Sequence, residues 1–422
     1  MDDCRIPERR QYILRLPVYF DNHATTPVDE EVLNIMLVSM REVIGNPASD
    51  SHLYGVEAKT AVETARNLIS YHISARPSEI VFTSGATEAI NTAIKGLVTP
   101  SKLSKCHFVT TQIEHKAVLD CHTFLQQNGA EVTFLPTGSN GIVCVDKLSE
   151  SIKPNTVLVS VIAANNEIGT IQPIAEIGKI CRDHGTRFLT DATQAFGKIP
   201  LNVEQMQIDM MAASAHKIHG PKGIGFLYIR SKPNRIHLST LIHGGGQERG
   251  LRSGTLNVAG IAGFSKATDI AIKRMSEDWE FIKNLRDQLR DNLLSRLDFT
   301  VVNGDVDQRL PNNLSIAFLG VDSEALMLSL RKDVAISSGS ACTASELLPS
   351  HVLRGIGLAD EWVSSTIRIG LSRFNTLDEV DYVSDRIVYE VARLRGISPF
   401  YETLTKKYVD RIRNGVLVSR QD

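Results

Sequence analysis

The chain has 422 residues, 42% of them hydrophobic and 22% charged, which is enough apolar material for a sizeable globular core. Its formal net charge of −2 argues against electrostatic binding of nucleic acid as a main function. No stretch is long and apolar enough to span a bilayer, and the six cysteines include no C-x-x-C pair and no zinc-ligand spacing. A reducing, cytoplasmic type of compartment is expected.

Met1–Pro17 mixes four arginines with Asp2, Asp3 and Glu8 and lacks an apolar h-region, so no secretory signal is expected. Val18–Phe20 leads into a turn-rich segment, Asp21–Pro27. Helices are predicted over Val28–Met40 and Gly55–Tyr71, with a loop at Gly45–Ser49 between them. Glu79–Thr83 reads as a strand, followed at once by Ser84-Gly85-Ala86-Thr87-Glu88 and a helix through Lys95. A strand, a small-residue turn and a helix N-terminus suit an anion such as phosphate, though a plain helix cap reads equally well from these residues. The segment is neither a Walker A loop nor a G-x-G-x-x-G fingerprint.

Strands and helices then alternate. Strands are predicted at His107–Thr111, Val132–Leu135, Val157–Ala163, Arg187–Thr190, Gln207–Ala213 and Gly225–Ile229. Helices are predicted at Ala117–Asn128 and Ile174–His184. This pattern predicts an α/β fold with a mainly parallel sheet between helices. Ligands of such sheets gather at the carboxyl ends of the strands. Ser84–Thr87, His115, Asn166, Asp191 and Lys217 all fall just past predicted strand ends.

The run His243–Thr255 is glycine-rich and reads as a flexible loop or as backbone in close approach. One long helical stretch is expected from Ile261 to about Phe299, connecting into a smaller α+β domain. There a strand Asn313–Phe318, a helix Ser323–Leu330, a strand Thr366–Gly370 and a helix Leu377–Arg395 are predicted. The small-residue run Ser337–Ser350 carries a lone Cys342 and is expected to move. The expected division is a large domain over 27–274 and a small one from 1–26 and 275–422.

Lys217 stands between two histidines after a buried strand. Burial favours a neutral amine, which is a nucleophile toward carbonyls. Pyridoxal phosphate needs such a lysine, an anion site, a carboxylate at the pyridine nitrogen and a flat partner for the ring. Lys217, Ser84–Thr87, Asp191 and His115 are residues of those kinds. Arg368 could hold a substrate carboxylate, and Cys342 would be an exposed nucleophile.

These residues lie in motifs met in order along the chain: Asp21–Pro27, Thr83–Glu88, Glu114–Val118, Asn165–Gly169, Asp191–Gln194, His216–Gly223, Arg252–Thr255 and Ser337–Thr343. From Val18 to Leu394 the chain resembles the class V aminotransferase-like group of fold type I pyridoxal phosphate enzymes, specifically the cysteine desulfurases. The resemblance implies that Lys217 bears pyridoxal 5'-phosphate and that His115 stacks on its ring. Asp191 would meet the pyridine nitrogen and Gln194 the ring oxygen. Ala86, Thr87, Ser214 and His216 would hold the phosphate, joined by Thr255 from a neighbouring subunit, which implies a homodimer. Asn166, beside the cofactor, and Arg368 would bind the carboxylate of L-cysteine, and Cys342 would take its sulfur as a persulfide. A sulfur-acceptor protein is implied, such as an iron–sulfur scaffold or a tRNA-thiolation relay. No resident metal is expected, although Cys342 could transiently ligate a cluster on an acceptor. Selenocysteine lyase and class V transaminase activities share this fold and stay open on the sequence, as does a non-catalytic scaffold; Cys342 argues for sulfur mobilisation.

Overall fold

The computed structural model describes residues 14–338 and 349–413. Strand β1 (Val18–Tyr19) is short. β2 (Ile80–Thr83), β3 (His107–Thr111), β4 (Glu131–Leu135), β5 (Thr156–Ser160), β6 (Arg187–Asp191), β7 (Met210–Ser214) and β8 (Gly225–Ile229) form one sheet in the order β2-β8-β7-β6-β5-β3-β4. β8 runs antiparallel to both its neighbours, and the other pairs are parallel. The predicted mainly parallel α/β sheet is therefore present.

Helices α1 (Glu30–Glu42), α2 (Leu53–His72), α3 (Ala86–Gly96), α4 (Lys116–Gln127), α5 (Val145–Ser151), α6 (Ile174–Asp183) and α7 (Val258–Lys273) accompany this sheet. Side chains alternate across a strand, and the two apolar clusters show it. Phe82, Met211, Ala213, Phe226 and Tyr228 join one cluster with residues of α2, α6 and α7. Val81, Met210, Ala212 and Leu227 join the other, with residues of α3 and α4. Burial on both faces explains why these strands read as continuous apolar runs rather than alternating ones.

Beyond α7 the chain enters α8 (Met275–Leu294). The single long helix expected from Ile261 to Phe299 is thus two helices, and the break falls at Arg274, whose ψ is 0°. Neither glycine nor proline marks it. Arg274 bonds Asp278 at 3.1 Å, and Asp278 also faces Arg373 at 3.6 Å, so charge contacts accompany the break. β9 (Thr300–Val302), β10 (Asn313–Phe318), β12 (Ser337–Ser338) and β13 (Thr366–Gly370) form an antiparallel sheet in the order β12-β13-β10-β9, while β11 (Val334–Ala335) pairs with β1. α9 (Ser323–Leu330), α10 (His351–Gly355), α11 (Asp360–Val363), α12 (Leu377–Ile397) and α13 (Tyr401–Arg413) complete the described chain. α8 and α12 pack on the second sheet through Leu285, Leu289, Val383 and Ile387. Thr376 and Glu379 cap α12 reciprocally. The short elements α5, β9, α10 and α11 carry no periodic signal long enough to predict, and α13, of 13 residues, follows the last helix predicted from the sequence.

The glycine-rich run is held at its centre. Glu248 is buried and accepts from Arg66 Nη1 at 2.9 Å, Arg66 Nη2 at 2.7 Å and Phe82 N at 2.8 Å. Backbone φ angles of 49° and 57° at Glu248 and Arg249 bend the chain so that this carboxylate points inward. Glu248→Ala would leave the Arg66 guanidinium buried without its bidentate partner. The expected loss is about 3–5 kcal/mol of stability, read as a lowered denaturation midpoint. An unchanged midpoint would mean that the ion pair does not anchor this segment.

Candidate active site

The site forms where the carboxyl ends of β3, β5, β6 and β7 meet the turn at 21–27. β7 ends in Ser214, and the chain then tightens into a 3-10 turn over Ala215–Lys217. A Cβ at Gly220 would lie 2.8 Å from the Ala215 carbonyl oxygen, so only glycine lets this turn close back on itself. Thr26 ties the two segments together: its backbone N–H and hydroxyl both donate to His216 O, and its hydroxyl accepts from His219 N at 2.8 Å. Lys217 Nζ consequently donates to His23 O at 2.6 Å and to Ala24 O at 2.7 Å. His216 bonds Thr25 Oγ1 through Nδ1, and burial, helped by the charges of Lys217, Lys222 and Lys198, pushes its pKa down to about 4. It is therefore neutral at pH 7.

Near Ser214 lies the start of α3. Its N-cap is Gly85, which supplies no side-chain acceptor to the first-turn N–H groups at Ala86 and Thr87. The ordinary cap that the sequence also allowed is absent there. Gly85 lies against Gly225, where an added Cβ would come within 2.7 Å of Gly85 Cα. A Cβ on Gly85 itself would sit 3.8 Å from Ser214 Oγ, so this hydroxyl borders the same N-terminus.

Asp191 is the last residue of β6, buried, and accepts from Thr193 N at 2.9 Å and from the Thr193 hydroxyl. Gln194 is buried beside it and donates through Nε2 to His23 O at 3.0 Å. His115 N-caps α4, with Nδ1 accepting from Ala117 N at 3.1 Å. That bond places the proton of the neutral ring on Nε2.

Arg368 reaches the site from β13 and is almost fully buried. It donates to Ser337 Oγ at 3.1 Å, Asn166 O at 3.0 Å and Asp21 Oδ1 at 3.4 Å. Asn166 Oδ1 is buried with no hydrogen-bond partner among the described residues. Thr255 is exposed, at the end of the glycine-rich run. Cys342, with 339–348 as a whole, lies outside the described residues. On the two flanks of that segment, Ser337 bonds Asp21 and Arg368, and Ser350 donates to Glu167 Oε2.

Several residues near these groups carried no assigned role in the sequence reading. Glu114 accepts from Thr111 Oγ1 at 2.7 Å and Ile162 N at 2.9 Å, and burial pushes its pKa up to about 8. Glu167 is pushed up to about 7, again by burial, against the opposing effects of Ser350, Arg368 and His115. His23 bonds Gln194 and the Asn312 and Asn313 region, and burial holds its pKa well below the usual value. All three stand inside motifs legible in the sequence. Only the fold shows that they are buried against the site.

A family model described as Aminotransferase class-V matches residues 18–383. A mitochondrial cysteine desulfurase of Arabidopsis thaliana is 49% identical over 394 residues, covering 93% of this chain and 86% of that protein. A cysteine desulfurase IscS of Rickettsia typhi is 47% identical over 391 residues, covering 93% and 95% respectively. Among solved structures, a NifS-like protein superposes with a TM-score of 0.83 at 39% identity, covering 89% of this chain and 100% of that one. The chain belongs to the class V aminotransferase family, within its cysteine desulfurases.

Proposed function

We propose that this chain converts L-cysteine to L-alanine and passes the sulfur to its own Cys342 as a persulfide, using pyridoxal phosphate held at Lys217. The observation that carries the reading is the convergence of Lys217, Asp191, Gln194 and the uncapped start of α3 at the strand ends, with Arg368 arriving from the second sheet. The donor set suits the cofactor. The N–H groups of Ala86 and Thr87, the Ser214 hydroxyl and neutral His216 suit a phosphate. The buried Asp191 carboxylate suits a protonated ring nitrogen, and the unsatisfied Asn166 amide suits a polar group of cofactor or substrate. When bound, pyridoxal phosphate supplies a carbonyl for the substrate amine and a ring that withdraws electrons from its Cα.

The residues divide the remaining work. Lys217 takes the proton from the substrate Cα and returns one. His115, whose Nδ1 accepts from Ala117 N so that Nε2 is left to carry a proton, would stack on the ring and serve acid–base steps. Arg368, already held by Asn166, Asp21 and Ser337, grips the substrate carboxylate without having to be ordered first. The Cys342 thiolate attacks the substrate sulfur. The Cβ–S bond breaks, an S–S bond forms, and Cβ gains a proton, so cysteine plus one enzyme thiol gives alanine plus one persulfide with no outside oxidant.

Thr255 belongs to the same proposal as a phosphate ligand for a second copy of the chain. Exposed Leu33, Leu37, Met40, Ile44, Leu53 and Tyr54 on and beside α1 support a homodimer, since so much grouped apolar surface is costly to leave in water. The division into 27–274 and the remainder is supported by separate apolar clusters and by the break at Arg274. No helix among the described residues is long and apolar enough to cross a membrane. Buried Cys106, Cys121 and Cys181 stand as free thiols, which supports a reducing compartment such as the cytoplasm. Iron–sulfur cluster assembly or a tRNA-thiolation relay would take the sulfur.

Supplied with pyridoxal phosphate, L-cysteine and a reductant, the purified protein should sediment as a dimer and form alanine and sulfide in equal amounts. Turnover confined to selenocysteine, or amino transfer to a keto acid without sulfide, would overturn the reading. A fully active monomer would remove the role given to Thr255.

A further inference from the structure

Lys198 follows Gly197 in a turn after β6, where a lysine ordinarily reads as solvated. Here it is half-buried, and its Nζ donates to Gln194 Oε1 at 3.1 Å. The same Oε1 lies 3.3 Å from His23 Nδ1, and Gln194 Nε2 donates to His23 O, which also accepts from Lys217 Nζ. Lys198, Gln194, the His23 carbonyl and Lys217 thus form one continuous hydrogen-bonded chain. Both lysines also line one cavity of about 50 Å³ at the seam between the two sheets, with Met275, Asp278, Asn312 and Arg373.

An amide can face either way, and its neighbours decide which. His23 is ambiguous here, because its Nε2 lies 3.1 Å from both the Asn312 carbonyl, an acceptor, and the Asn313 amide nitrogen, a donor. An ammonium is not ambiguous, since it only donates. Turning the Gln194 amide over would set N–H groups against Lys198 and the oxygen against the His23 carbonyl. With Oε1 engaged by Lys198 and His23, and one N–H spent on His23 O, a single N–H of Gln194 remains.

We infer that Lys198 is a positioning residue of the cofactor site: it orients Gln194 so that this last N–H is kept for the cofactor ring oxygen, and it places a second positive charge behind Lys217. The inference rests on the cofactor reading proposed above for Lys217 and Gln194. Burial, then the charge of Lys217, pushes the Lys198 pKa down to about 7; a Lys217 nitrogen joined to the cofactor no longer carries that ammonium charge, so the second effect falls away and the charged, donating form of Lys198 is favoured. The other charged and titratable groups facing this region are His23, His216, His219, Arg368, Arg373 and Asp278. Arg373 is matched by Asp29 at 2.6 Å and Asp278 at 3.6 Å, whereas Lys198 forms no ion pair among the described residues.

A cation behind Lys217 disfavours protonation of the nitrogen that links Lys217 to the cofactor. Removing it should raise the pH at which the visible absorbance of the holoenzyme titrates. Lys198→Met is expected to move that midpoint upward by about half a unit or more, and Lys198→Arg, which keeps charge and donor, to bring it back. Pyridoxal phosphate should also dissociate faster from Lys198→Met than from the unmodified protein. If Lys198→Met does not fold, the same upward shift is expected of Lys198→Gln, which drops the charge on a polar stem. Folded, cofactor-loaded variants with an unshifted midpoint would overturn the inference while leaving the cofactor reading intact. Absence of a visible, borohydride-reducible band in the unmodified protein would instead overturn that reading and the inference with it.

Discussion

Lys217→Ala should lose the borohydride-reducible link to pyridoxal phosphate and lower cysteine turnover by roughly 10⁴-fold or more, because both the nucleophile and the proton carrier are removed. The expectation comes from where the fold puts the amine. Lys217 ends the tight turn that follows a buried strand, and its Nζ is held by two carbonyl oxygens of the 21–27 turn. The natural competitor is Lys198, which shares the cavity and whose pKa is pushed down to about 7. Reduction of the loaded, unmodified protein followed by peptide mass spectrometry separates them. The cofactor mass should fall on the peptide containing Lys217. A link on the Lys198 peptide, or a covalent cofactor retained in Lys217→Ala, would reverse the two assignments. The variant should keep its unfolding free energy to within about 1 kcal/mol, since a half-buried lysine contributes little packing.

What could be read in advance follows from the range of each interaction. The inner strands β5 and β7 of the large sheet are buried on both faces, so they announce themselves as apolar runs whatever their partners. Lys217, Asp191 and Asn166 were legible because each closes such a run, and parallel strands bring their ends together. The contact that positions Lys217 was not legible, since His23 lies 194 residues away in sequence. Burial of ionisable groups was hidden for the same reason. Glu114 and Glu167 look like ordinary polar letters beside His115 and Asn166, yet the fold takes both out of water and raises both pKa values. Lys198 was missed because a Gly-Lys turn reads as surface. The break at Arg274 was missed because no glycine or proline marks it, and Asp278, which pairs with Arg274, meets Arg373 only through the tertiary fold. The glycine-rich run stayed open between a flexible loop and backbone in close approach because the Arg66 partner of Glu248 comes from a distant helix.

Cys342→Ser should still bind pyridoxal phosphate and still take up cysteine, because neither step needs the thiol. It should lower sulfide and alanine formation on the order of 10³-fold and carry no persulfide. Cys342 itself lies outside the described residues, so the case rests on what flanks it and on what the other cysteines cannot do. The segment leaves the second sheet at Ser337–Ser338, where Ser337 touches Arg368, and returns at Ser350, which is bonded to Glu167 next to Asn166. One end is thus tied to Arg368, proposed to hold the substrate carboxylate, and the other to Glu167, the chain neighbour of Asn166, and the intervening sequence is rich in small residues. Cys106, Cys121 and Cys181 are buried, and burial raises the pKa of each thiol, Cys121 to about 11, so they hold little thiolate at pH 7. Cys144 is exposed at the start of α5, and the segment before it is bonded to Thr170, Gln172 and Asp305 rather than to Lys217 or Arg368. Mass spectrometry after brief exposure to cysteine should therefore add one sulfur to the Cys342 peptide alone. Sulfur found on Cys144 or on a buried cysteine, or normal turnover by Cys342→Ser, would show that the sulfur leaves by another route.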